Sequence, residues 1–477
     1  MARPASPALL DDLEARLGPS GFTRDGEAMA PWLVDWRGRY RGRAAALLSP
    51  ASAAEVQAIV LRCRDAGAAL VPQGGNSSMV GGATPDEAGG SLLLSLRRMN
   101  AVRSVSGGDN VAVAEAGVIL ADLHDAAAAA GRRFPLSLAA KGSATIGGLV
   151  STNAGGTQVL RFGPMRSLVL GLEAVLPDGS LLEALSGLRK DNRGYDVKQL
   201  LIGAEGTLGV VTAASLRLVP VPGSAAVAWA GLASAGAALA LLRRLEEALG
   251  DSVESFELVP GRALSLVLAH VDGTRAPLAR PAPWNVLIEA TAPAAAGDIR
   301  DSLEEALGAA LESGLVDDAV VAASEAQARA LWRLRETISE AERREGPAAK
   351  HDVSVPVSAM PEFIEAAETA VTARFAGSRV VAFGHLGDGN VHFNVQPPRE
   401  GDGAAWLAAH GEAVSAFVHD LVVARGGSIS AEHGIGQMKR AELGRTMAPA
   451  QLAALRALKA ALDPAGIMNP GKLLPDA

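Results

Sequence analysis

One cysteine in 477 residues is the first scarcity. Cys63 can form no internal disulfide, which points to a reducing compartment. Its place in VQAIVLRCRDAG, at helical spacing with Val56, Ile59 and Val60, makes it a core residue with an inert thiol. Aromatic residues are few, at 4%, and there is no basic excess, with 44 basic residues against 52 acidic and a net charge of −8. Without a basic stripe interleaved with aromatics, nucleic acid is not an expected partner, because phosphate backbones demand a basic surface. No apolar run reaches the roughly 18 residues that a membrane span requires. Alanine-rich patches such as DAAAAAG are far shorter. The opening MARPASPALLDDLEARLG lacks a basic region followed by an apolar one, and DDLEARLG reads as a short soluble helix. The expectation is a soluble, cytoplasmic protein. Lysine is scarce as well, and Lys141, Lys190, Lys350, Lys439 and Lys472 all fall in or beside the motifs below.

What the chain does have is apolar bulk, at 49%, over a length sufficient for two or three domains. SAAEVQAIVLRCRDAG opens with a Ser-x-x-Glu capping box and continues as a helix. AALVP, SLLLSL and VAVAEAGV read as strands, ILADLHDAAAAAG as a helix, and LEAVLPDGSLLEAL as a hairpin turning at Asp178-Gly179. Hairpins interrupting the alternation of helix and strand argue against a doubly wound parallel sheet, so the expected class is α+β.

Three stretches string small residues together: VPQGGNSSMVGGATP (71–85), KGSATIGGLVSTNAGGTQVLRFG (141–163) and LIGAEGTLGVVTAASLRLVP (201–220). A glycine-rich turn leaving a strand exposes backbone N–H groups, as phosphate-binding loops do. The first stretch lacks both G-x-G-x-x-G and G-K-[ST], so alone it is equally a surface turn. Three such loops within about 150 residues read as walls of one narrow site for an extended ligand that the backbone itself touches.

These segments, together with RFGPMRSLVLGLEAVLPDG, KDNRGYDVKQLLIGAEGTLGVVT and the terminal LDPAGIMNPGKL, resemble in order the flavoprotein family of vanillyl-alcohol oxidase (PCMH) type, and within it the branch of D-lactate and D-2-hydroxyglutarate dehydrogenases. The resemblance runs from about Trp32 to Leu474. It implies a two-subdomain FAD-binding domain over residues 1–220, an α/β cap with an antiparallel sheet over 221–425, and a C-terminal segment, 426–477, returning to the FAD domain. It implies FAD with its pyrophosphate on Gly74, Gly75, Asn76 and Ser77, passed closely by Gly81 and Gly82, with Pro72 beside them. By the same resemblance Pro135, Ser137, Gly142, Ser143, Gly147, Thr152 and Asn153 flank the ribityl chain and isoalloxazine, Glu205, Gly206 and Val210 approach the adenine end, and Asn469 joins the set. Some family members tether the flavin through a histidine in the first loop. Asn76, Ser77 and Ser78 supply none, so the FAD is expected to be non-covalent.

The chemical signal beyond Val221 lies in VVAFGHLGDGNVHFNV (380–395). Two apolar runs joined by LGDGN make a hairpin in which His385 closes one strand and His392 sits on the next, with Asn394 on the same face as His392. Asp388 reads as a turn residue. SISAEHGIGQMKR then supplies Glu432 and His433. Two histidines and a carboxylate match a divalent metal site with open positions, of the kind zinc takes, so His385, His392 and Glu432 are the expected ligands. Adjacent strand residues face opposite ways, so Glu432 and His433 can act together only if their segment is irregular, which Gly434 and Gly436 permit. His124, His270, His410 and His419 are expected to be packing or surface residues. In ALWRLRETISEAERREGPAAKHDVSV, read as one helix followed by a strand, Arg335 and Ser339 stand one turn apart with Lys350 just beyond. The many charges make a solvated face the plain alternative, and it is the resemblance that implies a substrate carboxylate held by Arg335, Ser339 and Lys350. Relatives commonly carry threonine where this chain has Ser339.

The implied reaction is oxidation of a D-2-hydroxy acid to the 2-oxo acid: the metal binds the hydroxyl, His433 takes its proton, Asn394 orients the acid, and a hydride passes to the flavin. D-2-hydroxyglutarate and D-lactate are both candidate substrates. Electrons leave to an external acceptor, whether quinone, cytochrome or electron-transfer flavoprotein, and a homodimer is one oligomeric option. Rival classes are a zinc hydrolase, against which there is no H-E-x-x-H helix, and a non-catalytic flavin or metal-storage module.

Overall fold

The computed structural model describes residues 3–476. The chain forms two compact units, one from Met1–Gly155, Gly163–Val221 and Glu432–Ala477, the other from Gly156–Phe162 and Pro222–Ala431.

Besides the two-stranded pair of Val219–Pro220 with Arg132–Arg133, the first unit holds two sheets among the described residues. In the smaller, strands Phe22–Thr23, Ala46–Leu48, Leu92–Ser95 and Leu70–Gln73 lie in that order, the last three mutually parallel. Parallel strands of one sheet need a crossover, and helix Ala53–Ala66 provides it between Ala46–Leu48 and Leu70–Gln73. Its start is encoded as expected: the Ser52 hydroxyl accepts from the Glu55 N–H at 3.2 Å and the Glu55 carboxylate accepts from the Ala51 N–H at 2.8 Å. Gly67, at φ 67°, ends it. Val56, Ile59, Val60 and Cys63 pack against Leu48, Leu70, Leu92 and Leu94, and burial pushes the Cys63 thiol up to about 12, which keeps it inert. The larger sheet is antiparallel, in the order Val102–Ser106, Val111–Glu115, Val210–Arg217, Val169–Val175, Leu181–Ala184. Its last pair is the hairpin read from the sequence, with Gly179 at φ 85°.

The second unit is built on one seven-stranded sheet, antiparallel throughout, in the order Asp318–Val321, Ser224–Leu232, Trp284–Ala292, Val253–Pro260, Arg379–His385, Asn390–Gln396, Ala349–Ser354. Helices Ala235–Leu249, Ile299–Glu312, Met360–Arg374 and Gly403–Val423 supply the core on one face. Helices Gly261–His270, Glu325–Glu336 and Ile338–Glu345 pack on the other. The excursion 156–162 is tied into this unit by a buried carboxylate. Glu254 accepts from Gln158 at 2.8 Å, from Arg161 at 3.3 Å and from Thr291 at 2.8 Å, and the Ser255 hydroxyl donates to the Thr157 carbonyl at 2.6 Å.

One expected element divides. The run from Ala330 to Gly346 is not a single helix but two, Glu325–Glu336 and Ile338–Glu345, parted at Thr337. The Thr337 hydroxyl donates to the Arg333 carbonyl at 2.7 Å, four residues back, a side-chain bond that bends helices. Arg335 and Ser339 therefore do not share a helix face: Arg335 is buried and Ser339 exposed.

Candidate active site

In the first unit the small-residue stretches come together, because glycines let the backbones touch. A Cβ on Gly75 would stand 1.7 Å from the Ser143 carbonyl oxygen, and one on Gly74 2.4 Å from the Thr145 hydroxyl. Gly206, at φ 71°, lies against Pro72, and Gly82 against the Glu205 carboxylate. The loop after strand Leu70–Gln73 is pinned at both ends by the Gln73 amide, which donates to the Trp32 and Ala83 carbonyls at 2.9 Å each. Asn76 adopts φ 51° and donates from its side chain to the Val34 carbonyl at 2.9 Å. Ser77 and Gly81 continue this loop, Gly81 at φ 68°.

The second wall is an irregular segment carrying Pro135, Ser137, Gly142 and Ser143, the last two exposed, which runs into helix Ile146–Thr152 with Gly147 inside it. Thr152 donates to the Gly148 carbonyl at 3.0 Å, while Asn153, at φ 49°, accepts from the Arg166 N–H at 2.9 Å. From the third stretch Glu205 enters at φ 51°, and Val210 begins a buried strand. Asn469 closes the group, its side-chain amide donating to the Gly82 carbonyl at 3.0 Å and the Glu205 carbonyl at 2.7 Å. Glu205 has a further task that sequence reasoning missed: its carboxylate accepts from the Ile435 and Gly436 N–H groups, both at 2.7 Å, clasping the segment after His433. Burial raises its pKa, a tendency opposed by those two bonds and by Lys439 and Lys472.

The cradle fits a flavin dinucleotide. Its loops are free of intruding Cβ atoms, and it has buried polar atoms, the Thr145 hydroxyl and the Asn469 amide oxygen, with no partner among the described residues. Gly75→Ala is expected to cut retained flavin by about tenfold or more, a loss of at least ~1.4 kcal/mol of binding, read from the flavin-to-protein absorbance ratio of folded protein.

In the second unit strand period places the chemistry on one sheet face. Glu257 pairs with His385, His392 with Asp352 on one side and Phe383 on the other, and Lys350 with Asn394. The rings of His385 and His392 stand edge to face, 5.7 Å apart. Asp388 is the turn residue expected, accepting from the Asn390 N–H at 3.0 Å. Glu257, fully buried, organises the neighbourhood. One oxygen takes the His385 Nδ1 at 2.6 Å and the other the Arg335 Nε at 2.7 Å. Burial alone would raise its pKa, but His385 and Arg335 outweigh it and hold the carboxyl down at about 2. A carboxylate can only accept, so Nδ1 of His385 carries the proton and Nε2 presents its lone pair, the arrangement that second-shell carboxylates impose on metal-binding histidines. The Arg335 guanidinium also lies over the Phe383 ring, 4.9 Å from its centre.

The peptide bond from Ala431 carries the chain out of this unit, and Glu432 follows directly. Ligand atoms of His385, His392 and Glu432 lie within 4.8 Å of one another, and those of Asp352, Glu432 and His433 form a second such group. Residues 431–436 are neither helix nor strand, and Gly434 and Gly436 adopt φ 79° and 53°, the irregularity that lets neighbours act together. Two imidazoles and a carboxylate fit a borderline divalent cation such as zinc.

Glu257, Asp352 and Glu342 were not singled out from the sequence. For Glu257 the available signal was a carboxylate inside the apolar strand VESFELVP. For the other two, charged surroundings hid it. His124 packs its ring nitrogen on the Leu136 carbonyl and His270 pairs with Glu345. His410 stacks with Trp406, and His419 meets a buried His351 edge-on at 5.7 Å, so all four serve packing or local pairing.

Two family models match the chain: an FAD binding domain over residues 44–185 and the C-terminal domain of FAD-linked oxidases over residues 221–473. The chain belongs to the FAD-linked oxidase family. A mitochondrial D-2-hydroxyglutarate dehydrogenase of Bos taurus is 41% identical over 98% of this chain and 84% of its own length. A D-2-hydroxyglutarate dehydrogenase of Xanthomonas citri pv. viticola is 40% identical over 92% of this chain and 91% of its own. Among solved structures, p-cresol methylhydroxylase matches with a TM-score of 0.76 at 14% identity, covering 100% of this chain and 99% of that one, which establishes the PCMH-type α+β fold. This member of the family is thus an FAD-dependent dehydrogenase of the D-2-hydroxy-acid branch. No helix among its described residues is long and apolar enough to cross a membrane.

Proposed function

We propose that this FAD-linked oxidase oxidises D-2-hydroxyglutarate to the 2-oxo acid with the help of a divalent metal, and passes the electrons to an external acceptor. The observation that carries the reading is the cluster on one sheet face of the second unit, where buried Glu257 accepts from the His385 Nδ1 and pairs with Arg335. Relatives named for D-2-hydroxyglutarate, at up to 41% identity over nearly the whole chain, support the substrate class.

In this reading Arg335, fixed through Nε on Glu257, turns its terminal amino groups to a substrate carboxylate, and Lys350 supplies a second cation. Ser339 contributes its hydroxyl from the exposed start of the following helix. His385, His392 and Glu432 hold the metal, His385 through the nitrogen that Glu257 leaves open. Asn394 orients the acid and His433 removes the hydroxyl proton. When bound, FAD accepts the hydride from C2, and the metal makes the hydroxyl more acidic. The cradle of the first unit holds the FAD non-covalently through the loops around Gly74, Gly142 and Glu205, since the first loop offers no tethering histidine. The lone reduced cysteine fits a cytoplasmic location. The names of the eukaryotic relatives say mitochondrial, whereas the bacterial name does not.

The test is anaerobic bleaching of the flavin against a panel of D- and L-2-hydroxy acids. D-2-hydroxyglutarate is expected to bleach it fastest. A preference for D-lactate would move the protein to the other substrate of the branch, and bleaching by none would remove the reading.

A further inference from the structure

Glu342 is a buried carboxylate with no part in that reaction scheme. In EAERREG it looks like one more solvated charge, but helix Ile338–Glu345 turns Ile338, Ala341 and Glu342 inward. Glu342 has no exposed surface. One carboxylate oxygen accepts from the Asn394 side-chain amide at 2.7 Å and lies 3.8 Å from the Lys350 ammonium, while the other is buried with no partner among the described residues. Lys350 and Asn394 are register partners on adjacent strands, on the face that carries His392.

The charges around it are few. Lys350 faces it from the edge strand, and Arg262, from helix Gly261–His270, acts from farther away with its guanidinium on the Val380 carbonyl. On its own helix Glu345 is committed to His270 at 3.0 Å and Arg379 at 2.9 Å, and Glu340 pairs with Arg344 at 2.6 Å. A charged carboxylate sealed in this way, with one oxygen unmatched, is costly.

We propose that Glu342 is a positioning residue that stands in for the substrate's charge beside Lys350, and that binding of the acid there is coupled to uptake of a proton by Glu342. The inference rests on the proposed role of Lys350 as a carboxylate anchor. Two carboxylates beside one partly buried ammonium repel each other, so the arriving anion favours the neutral form of the resident, fully buried one. Burial already raises Glu342 to about 7 against the opposing pull of Lys350, Asn394 and Arg262, so little more is needed. Once protonated, Glu342 keeps the bond from Asn394 on one oxygen and carries no charge that competes for Lys350. Protonation thus favours binding, and affinity falls as pH rises above about 7.

The experiment is calorimetric titration of the oxidised holoenzyme with 2-oxoglutarate, which carries the same carboxylates and transfers no hydride, in phosphate and in Tris at pH 7.5. Wild type is expected to take up a sizeable fraction of a proton, and its Kd to weaken between pH 7 and 8.5 by up to about tenfold per pH unit. Glu342→Gln, which keeps the shape and the acceptor for Asn394, is expected to lose that uptake and flatten the Kd profile. A purely structural Glu342 would shift affinity equally at every pH and leave the proton count alone. His433 is present in both proteins and cancels in the difference. No uptake by wild type overturns the inference without recourse to the variant, as does unchanged uptake in Glu342→Gln, and in both cases the proposed function stands. Failure of 2-oxoglutarate and other 2-oxo acids to bind at all overturns both.

Discussion

His433→Ala is expected to lower turnover by about a hundredfold or more, the usual scale for loss of a general base. His433 follows a proposed metal ligand directly, in a segment without regular structure whose glycines at 434 and 436 adopt left-handed backbone. That segment is held from within the first unit by the Glu205 carboxylate through the N–H groups of residues 435 and 436, two bonds that the substitution leaves in place. The variant should therefore stay folded and yellow, with its loss in turnover rather than flavin content. Stopped-flow measurement of flavin reduction separates the two. A change of only a few fold would assign the proton to another group, with Asp352 the next titratable neighbour.

Removal of the metal is the second large effect. Exhaustive dialysis against chelator is expected to reduce turnover at least about a hundredfold while the flavin absorbance stays unchanged, and added Zn2+ should restore activity. The two halves of that outcome come from separate parts of the chain: the proposed ligands centre on the hairpin 379–396, the flavin cradle on the glycine loops of the first unit. Without metal, His385 still has its bond to Glu257, so the hairpin should keep its shape and accept the ion again. Activity untouched by chelation would take the metal out of the chemistry.

Much of the site was legible because its signals are short-ranged. Strand alternation and a turn composition fix where His385, Asp388, His392 and Asn394 point, and the structure has them so. The glycine loops were legible as a group, since only close backbone approach explains residues such as Gly75. What escaped depends on distant partners. Glu257 is 128 residues from the histidine it orients, and no local pattern joins them. Glu342 lies in a run of charges that reads as solvated, and its burial follows only from packing against the sheet. The division at Thr337 turns on a single residue leaving helical geometry, which spacing arguments do not mark.

Glu254 sets a limit on how the protein can be cut. A fragment spanning 222–431 would carry the whole seven-stranded sheet yet leave behind Gln158 and Arg161, stripping a sealed carboxylate of its ion pair and of an amide donor. Fragments made at the obvious boundary should therefore express poorly, and grafting the heptapeptide 156–162 back through a linker is the remedy that the wiring suggests.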